Sequence, residues 1–181
     1  MSRIGKLPIT IPAGVTVEVT DNLVTVKGPK VTLTQTFSKN VSVNVADGAI
    51  HVVRNDEESD SNVKQGLYRQ LIHNMVVGVT EGFKKSLVVN GVGYKLSKQG
   101  NKLVMNLGLS HPVEVVEEEG IKLEAPDNNT IVVSGASKEQ VGAVAAKIRA
   151  IRPMEPYHGY GIHYSTEPVI LKQGKAAGKK K

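Results

Sequence analysis

Apolar and polar residues alternate with period two over most of residues 15–53. The runs VTVEV, LVTVKG, KVTLTQTF, NVSVNV and AIHVV each set apolar side chains on one face and polar ones on the other, the pattern of a strand packed on one side. The joints between them, TDN, GPK, SKN and ADG, carry turn-forming residues. In KGPK, Gly28 tolerates a positive φ and Pro29 fixes its own, so a tight connection is expected. The period changes at NDEESDSNVKQGLYRQLIHNMVVGVTEGF. Val63, Leu67, Leu71 and Met75 recur every four residues with Ile72, Val76 and Val79 beside them, which predicts an amphipathic helix over 61–80. Asp60 or Ser61 is placed to cap it, acidic Glu57, Glu58 and Asp60 suit the positive end of its dipole, and Gly82 is placed to end it.

The pattern then starts again. KSLVVNG, GYKLSKQ, NKLVMNLG, HPVEVVEE, IKLEAP and TIVVSG read as short strands between turns, and SKEQVGAVAAKIRAI reads as a second helix. Ser137 and Gln140 have capping-box spacing, Val141, Val144, Ala145 and Ile148 form its apolar stripe, and Pro153 stops it. Strands followed by a helix thus occur twice, over about 1–82 and 83–152. The expected fold class is α+β: two similar modules, each a small antiparallel sheet with a packed helix, related by internal duplication. The expected division is an N-terminal module over 1–82, with helix 61–80 as the link, and a C-terminal module over 83–181 that ends in a basic tail at 173–181.

Composition narrows the function. Of 181 residues, 40% are hydrophobic and 22% charged, which suits a globular chain, while aromatics at 4% and the absence of Trp require an aliphatic core. With no Cys, disulfides, thiolate nucleophiles and Cys-type metal sites are excluded. The start, MSRIGKLPITIPAG, lacks the apolar run of a signal peptide and no stretch approaches a membrane span, so a cytoplasmic protein without a membrane partner is expected. The net charge is +6, and it is segregated: from Lys147 onward there are 8 basic and 2 acidic residues, which leaves 15 of each sign over residues 1–146. A segregated basic surface attracts a polyanion; the other reading is a solubilising tail.

Enzyme chemistry finds little footing. His158 and His163 lie five apart with no third ligand spaced to complete a metal site, so they read as surface or RNA-facing imidazoles. GVGY at 91–94 lacks the Lys-Ser/Thr and the following helix of a phosphate loop and reads as a turn or a bulge. The acidic VEEEG at 116–120 reads as a solvated edge that discourages sheet-to-sheet association. No Ser has a nucleophile-elbow context. No enzyme activity, cofactor or metal is expected.

The segment from Arg152 to Lys181, RPMEPYHGYGIHYSTEPVILKQGKAAGKKK, shows neither helical nor strand periodicity. Gly159 and Gly161 let backbone approach another surface closely. Tyr157, Tyr160 and Tyr164 offer flat faces for stacking on splayed bases. Arg149, Arg152 and Lys172 can neutralise phosphates, and Pro153 and Pro156 stiffen the segment before it docks. RNA binding and a loop packed on its own domain, with the tyrosines as satellite core, both fit these residues.

At this segment the sequence resembles the bacterial-type large-subunit ribosomal protein family called L-six. Its C-terminal signature runs Pro-Glu-Pro-Tyr-basic-Gly-basic-Gly-Ile-basic-Tyr, then an acid, then Lys-x-Gly-Lys. Glu155, Pro156, Tyr157, Gly159, Gly161, Ile162, Tyr164, Glu167, Lys172, Gly174 and Lys175 fit it. MSRIGKLPITIP, VKGPKVTL, VNGVGYKL and LGLSHPVEV extend the resemblance over essentially the whole chain. The chain departs from the pattern at Met154, where the family has Pro, and at His158, Tyr160 and His163, where it has basic residues. Each lost phosphate contact would shallow the salt dependence of binding by about one log–log unit.

The resemblance implies a non-enzymatic structural component of the large subunit, cytoplasmic within the ribosome. Its C-terminal module would bind large-subunit ribosomal RNA near the sarcin–ricin loop, with neighbouring ribosomal proteins around it and translation factors docking nearby. The RNA-binding residues expected are Arg149, Arg152, Tyr157, His158, Gly159, Tyr160, Gly161, His163, Tyr164, Lys172 and Lys175, with Lys179, Lys180 and Lys181 threading between phosphates. The alternative is a free cytoplasmic adaptor that recruits protein partners on exposed sheet edges.

Overall fold

The computed structural model describes residues 3–29, 31–56 and 58–175; Glu57 and the tail lysines Lys179, Lys180 and Lys181 lie outside them. The chain is α+β and divides into two compact units. The first runs to Phe83 and takes in Ala136–Lys138; the second comprises Lys84–Gly135 and the chain from Glu139 onward.

In the first unit the strands are β1 (Ile9–Thr10), β2 (Thr16–Thr20), β3 (Leu23–Lys27), β4 (Thr32–Thr36), β5 (Val41–Ala46) and β6 (Ala49–Arg54), followed by helix α1 (Ser59–Thr80). They form two antiparallel three-stranded sheets, ordered β1-β6-β5 and β2-β3-β4. Period-two alternation explains the burial: Val24 and Val26 of β3 are buried between outward Leu23, Thr25 and Lys27. The β5–β6 turn sets Asp47 and Gly48 at φ 51 and 70, both left-handed, which matches the right-handed twist of a two-residue hairpin. The core is aliphatic, with Ile9, Ile50, Val52, Ile72, Val76 and Val79 among its members and Phe37 its one buried aromatic.

Three expectations about this unit need correction. The helix begins at Ser59, two residues early, with Glu58 at the N-cap in extended conformation and no side-chain cap. Neither Asp60 nor Ser61 serves as the cap residue. Ser61 is fully buried and its hydroxyl receives a hydrogen bond from Asn40 Nδ2, while Asp60 pairs with Lys64 one turn on. The expected stripe holds in the C-terminal half of α1, where Ile72, Met75, Val76 and Val79 are buried, but in the N-terminal half the buried face is rotated away from it. Ser61, Gln65, Ile72, Met75, Val76 and Val79 face inward, whereas Val63 and Leu67 are 67% and 52% exposed. The inward polar positions are satisfied: Gln65 Nε2 donates to the Val52 carbonyl at 2.9 Å. Gly82, at φ 76, does end the helix, its amide bonded to the Val77 carbonyl. Gly28 is needed for a different reason from the one expected. Its φ is not left-handed, but a Cβ there would lie 2.5 Å from Val79 Cβ, so glycine lets β3 approach α1.

The second unit repeats the first. Strands β7 (Phe83–Asn90), β8 (Lys95–Gln99), β9 (Lys102–Asn106), β10 (Val113–Val116), β11 (Ile121–Asp127) and β12 (Thr130–Gly135) precede helix α2 (Lys138–Ile151). Sheet order β8-β9-β10 copies β2-β3-β4, and β7-β12-β11 copies β1-β6-β5. The same order of strands twice, each time followed by a helix, is the structural counterpart of the repeated pattern in the sequence. Val141, Val144, Ala145 and Ile148 of α2 are buried, as their spacing predicted. GVGY at 91–94 is a turn: Gly93 has φ 76, and the Tyr94 ring lies against Gly91 where a Cβ would come within 2.5 Å. The acidic run after β10 is more than a solvated edge. Glu117 pairs with Lys98 and accepts the Leu123 amide, both at 2.8 Å, and these bonds hold its carboxyl below the ordinary carboxylate range.

Among the described residues, one element has no counterpart in the first unit. Gly161–Tyr164 forms a strand, β13, on the free edge of β7, giving the order β11-β12-β7-β13. The irregular C-terminal segment therefore contains a strand that the sequence pattern did not reveal.

Candidate nucleic-acid interface

The segment following α2 folds back onto β7. Register pairs Gly161 with Asn90, Ile162 with Val89, His163 with Val88 and Tyr164 with Leu87. Ile162 is fully buried and anchors the segment, a burial worth about 1.5–3 kcal/mol. The outer edge of β13 is not free: the Ile162 amide donates to the Arg152 carbonyl at 2.8 Å. Gly161 sits at φ 137 with its Cα beside this strap. A Cβ there would come within 2.5 Å of Met154 Cα and 2.6 Å of the Pro153 oxygen, so glycine is the residue that fits.

A tight turn spans 155–160. The Glu155 amide donates to the Tyr160 carbonyl at 2.9 Å and closes it. The Glu155 carboxylate accepts the His158 amide at 2.6 Å and lies 2.9 Å from His158 Nδ1. Burial acts against its charge, but these bonds prevail and lower its pKa. The Gly159 carbonyl accepts from Asn90 Nδ2 at 2.9 Å, and the Pro156 carbonyl accepts from the Lys172 amide at 2.7 Å. With its backbone held from several sides, the turn directs its rings outward. Tyr157 and Tyr160 are 55% and 37% exposed, and the His158 imidazole stacks on Tyr160 at 5.6 Å between centroids and 20° between planes.

A second cluster lies at the other end of β13. Arg149 on α2 clasps Glu167 with two hydrogen bonds, Nε to Oε2 at 3.0 Å and Nη2 to Oε1 at 2.6 Å. Glu167 also accepts the Tyr164 amide at 3.2 Å. The Arg149 bonds first, and this amide after them, hold the Glu167 carboxyl below its ordinary range. The Tyr164 ring is half-buried, with Lys85 Nζ 5.1 Å and the Arg149 guanidinium 5.7 Å from its centroid.

The expected RNA-binding residues therefore divide. Arg152, Tyr157, His158, Tyr160, Lys172 and Lys175 are exposed, and among the described residues neither Arg152, Lys172 nor Lys175 has an acidic partner. Gly159 and Gly161 are buried backbone positions that shape the turn and strand. Arg149 and Tyr164 are built into the clasp, and His163 is half-buried with its Nδ1 unpartnered among the described residues. Lys179, Lys180 and Lys181 fall outside the described residues. The sequence reading missed the supports: Asn90, Glu155 and Glu167 orient the backbone rather than present charge. Among the described residues no group of three or more metal-ligating side chains occurs, and no helix is long and apolar enough to cross a membrane.

Comparison with known proteins agrees with the sequence resemblance. The family model described as Ribosomal protein L6 matches residues 11–82 and 90–165, one segment in each unit. The large ribosomal subunit protein uL6 of Clostridium kluyveri is 55% identical over 181 residues, covering 99% of this chain and all of the relative. Its namesake in Exiguobacterium sibiricum is 53% identical, covering 97% of this chain and 98% of the relative. That of Caldanaerobacter subterraneus subsp. tengcongensis is 52% identical, covering 99% and 100%. Matched in both of its repeats and along nearly its full length, the chain belongs to the ribosomal protein L6 family.

Proposed function

We propose that this chain is a non-enzymatic component of the large ribosomal subunit in the cytoplasm, and that it binds large-subunit ribosomal RNA through its C-terminal module. The module is residues 83–181, with residues 1–82 as a neutral companion. The names of its relatives support the assembly. The carrying observation for the interface is the 155–160 turn. Its backbone is fixed by hydrogen bonds and it displays two tyrosines and a stacked imidazole beside Arg152 and Lys172, cations without acidic partners among the described residues. Fixed rings stack on unpaired bases at little entropic cost, and free cations neutralise phosphates. Arg149 is assigned a supporting role, because Glu167 already neutralises it. The family resemblance supports a location near the sarcin–ricin loop, beside the docking region of translation factors, with other ribosomal proteins as neighbours.

The test is binding of large-subunit rRNA as a function of salt. Arg152→Ala and Lys172→Ala should each reduce the log–log slope by about one unit, and Tyr160→Ala should weaken binding at unchanged slope. Arg149→Ala should leave the slope alone. Wild-type affinity and slope in all three exposed-site variants would refute the proposal. A simple truncation after Pro153 is a poor substitute, since it removes the buried Ile162 and all of β13.

A further inference from the structure

Asn90 is the last residue of β7 and stays solvent-exposed, yet its side chain reaches across to the Gly159 carbonyl at 2.9 Å. In the β7–β13 register it stands opposite Gly161, so the bond extends the pairing two residues beyond the strand and into the turn. Gly159 lies at φ 74 between the stacked partners His158 and Tyr160. A glycine in the left-handed region has little intrinsic preference to stay there. The direction of Tyr160 depends on the peptide that follows Gly159, and Asn90 holds the oxygen of that peptide. Leu171 also packs against Gly159: its Cδ2 would be 3.1 Å from an added Cβ.

We propose that Asn90 is a positioning residue for RNA recognition: by holding the Gly159 carbonyl it fixes the 155–160 turn in the conformation that presents Tyr160 and its stacked His158, without touching RNA itself. This rests on the RNA-binding reading above. An Asp at this position keeps the shape but loses the donor and sets a carboxylate against the carbonyl, so it breaks the bond as Ala does.

The experiment measures full-length protein binding to large-subunit rRNA for Asn90→Ala, Asn90→Asp, Tyr160→Ala and the double variant Asn90→Ala with Tyr160→Ala. Each Asn90 variant should bind about tenfold more weakly, as loss of one hydrogen bond of positioning allows. The salt slope should be unchanged, because no phosphate contact is lost. The double variant should bind no more weakly than Tyr160→Ala alone, since Asn90 acts through that ring. Wild-type affinity in the Asn90 variants, a loss that adds in full to that of Tyr160→Ala, or a fallen slope overturns the proposal. So does a cooperative loss of fold in both Asn90 variants, which would make the residue merely structural. If Tyr160→Ala weakens binding while Asn90 variants match wild type, this proposal alone fails. If wild-type protein binds no large-subunit rRNA, the underlying reading fails with it.

Discussion

Replacing Gly161 by alanine puts the geometry of the C-terminal strand to a quantitative test. At φ 137 the position is one that L side chains rarely adopt, and holding one there costs about 1–3 kcal/mol. The new methyl would start 2.5 Å from Met154 Cα, where carbon atoms prefer about 3.5–4.0 Å. The neighbours are backbone, so no side chain can swing aside: the 153–154 strap must retreat by about 1 Å. That retreat weakens the Ile162 amide to Arg152 carbonyl bond, worth about 0.5–1.5 kcal/mol. The alternative is for β13 to leave the sheet and expose Ile162, at about 1.5–3 kcal/mol. The first route thus costs about 1.5–4.5 kcal/mol and the second about 1.5–3 kcal/mol, so a destabilisation of at least about 1.5 kcal/mol is expected either way. With a urea m-value near 2 kcal/mol/M, the midpoint should fall by about 0.75 M or more. Gly174→Ala is the control, since nothing lies within 4 Å of a Cβ there and its φ is ordinary. A Gly161→Ala midpoint equal to that of wild type would show that β13 and its strap are not held as described.

Other substitutions separate packing from pattern. Gly28→Ala should cost about 1–3 kcal/mol by forcing β3 away from Val79, whereas Gly142→Ala, with open space inside α2, should stabilise by about 0.5–1 kcal/mol in the same urea assay. On α1, Leu67→Ser should change stability by less than about 0.5 kcal/mol, and Ile72→Ala should cost about 2–5 kcal/mol. The carboxyls of Glu117, Glu155 and Glu167 all have pKa values lowered in the fold, so each contributes stability above its ordinary pKa that is lost as pH falls through the lowered folded value. Stability should therefore decline on acidification below about pH 5, and Glu167→Gln should flatten that decline.

The repeated architecture is legible because both repeats obey period-two strands and a 3.6-residue helix, and the buried stripe of α2 matches its sequence spacing to the residue. The α1 stripe is legible only in its C-terminal half, because two inward positions in the N-terminal half are occupied by Ser61 and Gln65, whose burial depends on partners at Asn40 and the Val52 carbonyl. Polar residues satisfied by distant groups leave no hydrophobic signal. β13 escaped notice because GIHY carries one fully apolar side chain and owes its strand conformation to the waiting edge of β7. The exposed rings of the proposed interface, and its cations without acidic partners among the described residues, are readable by residue type. The neutralisation of Arg149 by Glu167, 18 residues away, and the reach of Asn90 to Gly159, 69 residues away, are not, since both exist only once the chain has folded.

The claim that this ordered, ring-bearing edge faces RNA is tested most directly by mapping protein–RNA crosslinks along the chain in intact large ribosomal subunits. Adducts should concentrate at Arg152, Tyr157, His158, Tyr160 and Lys172, with few in residues 1–82. Crosslinks that join this edge only to other polypeptides, or an edge left free of nucleotide adducts while other parts of the chain carry them, would contradict the account.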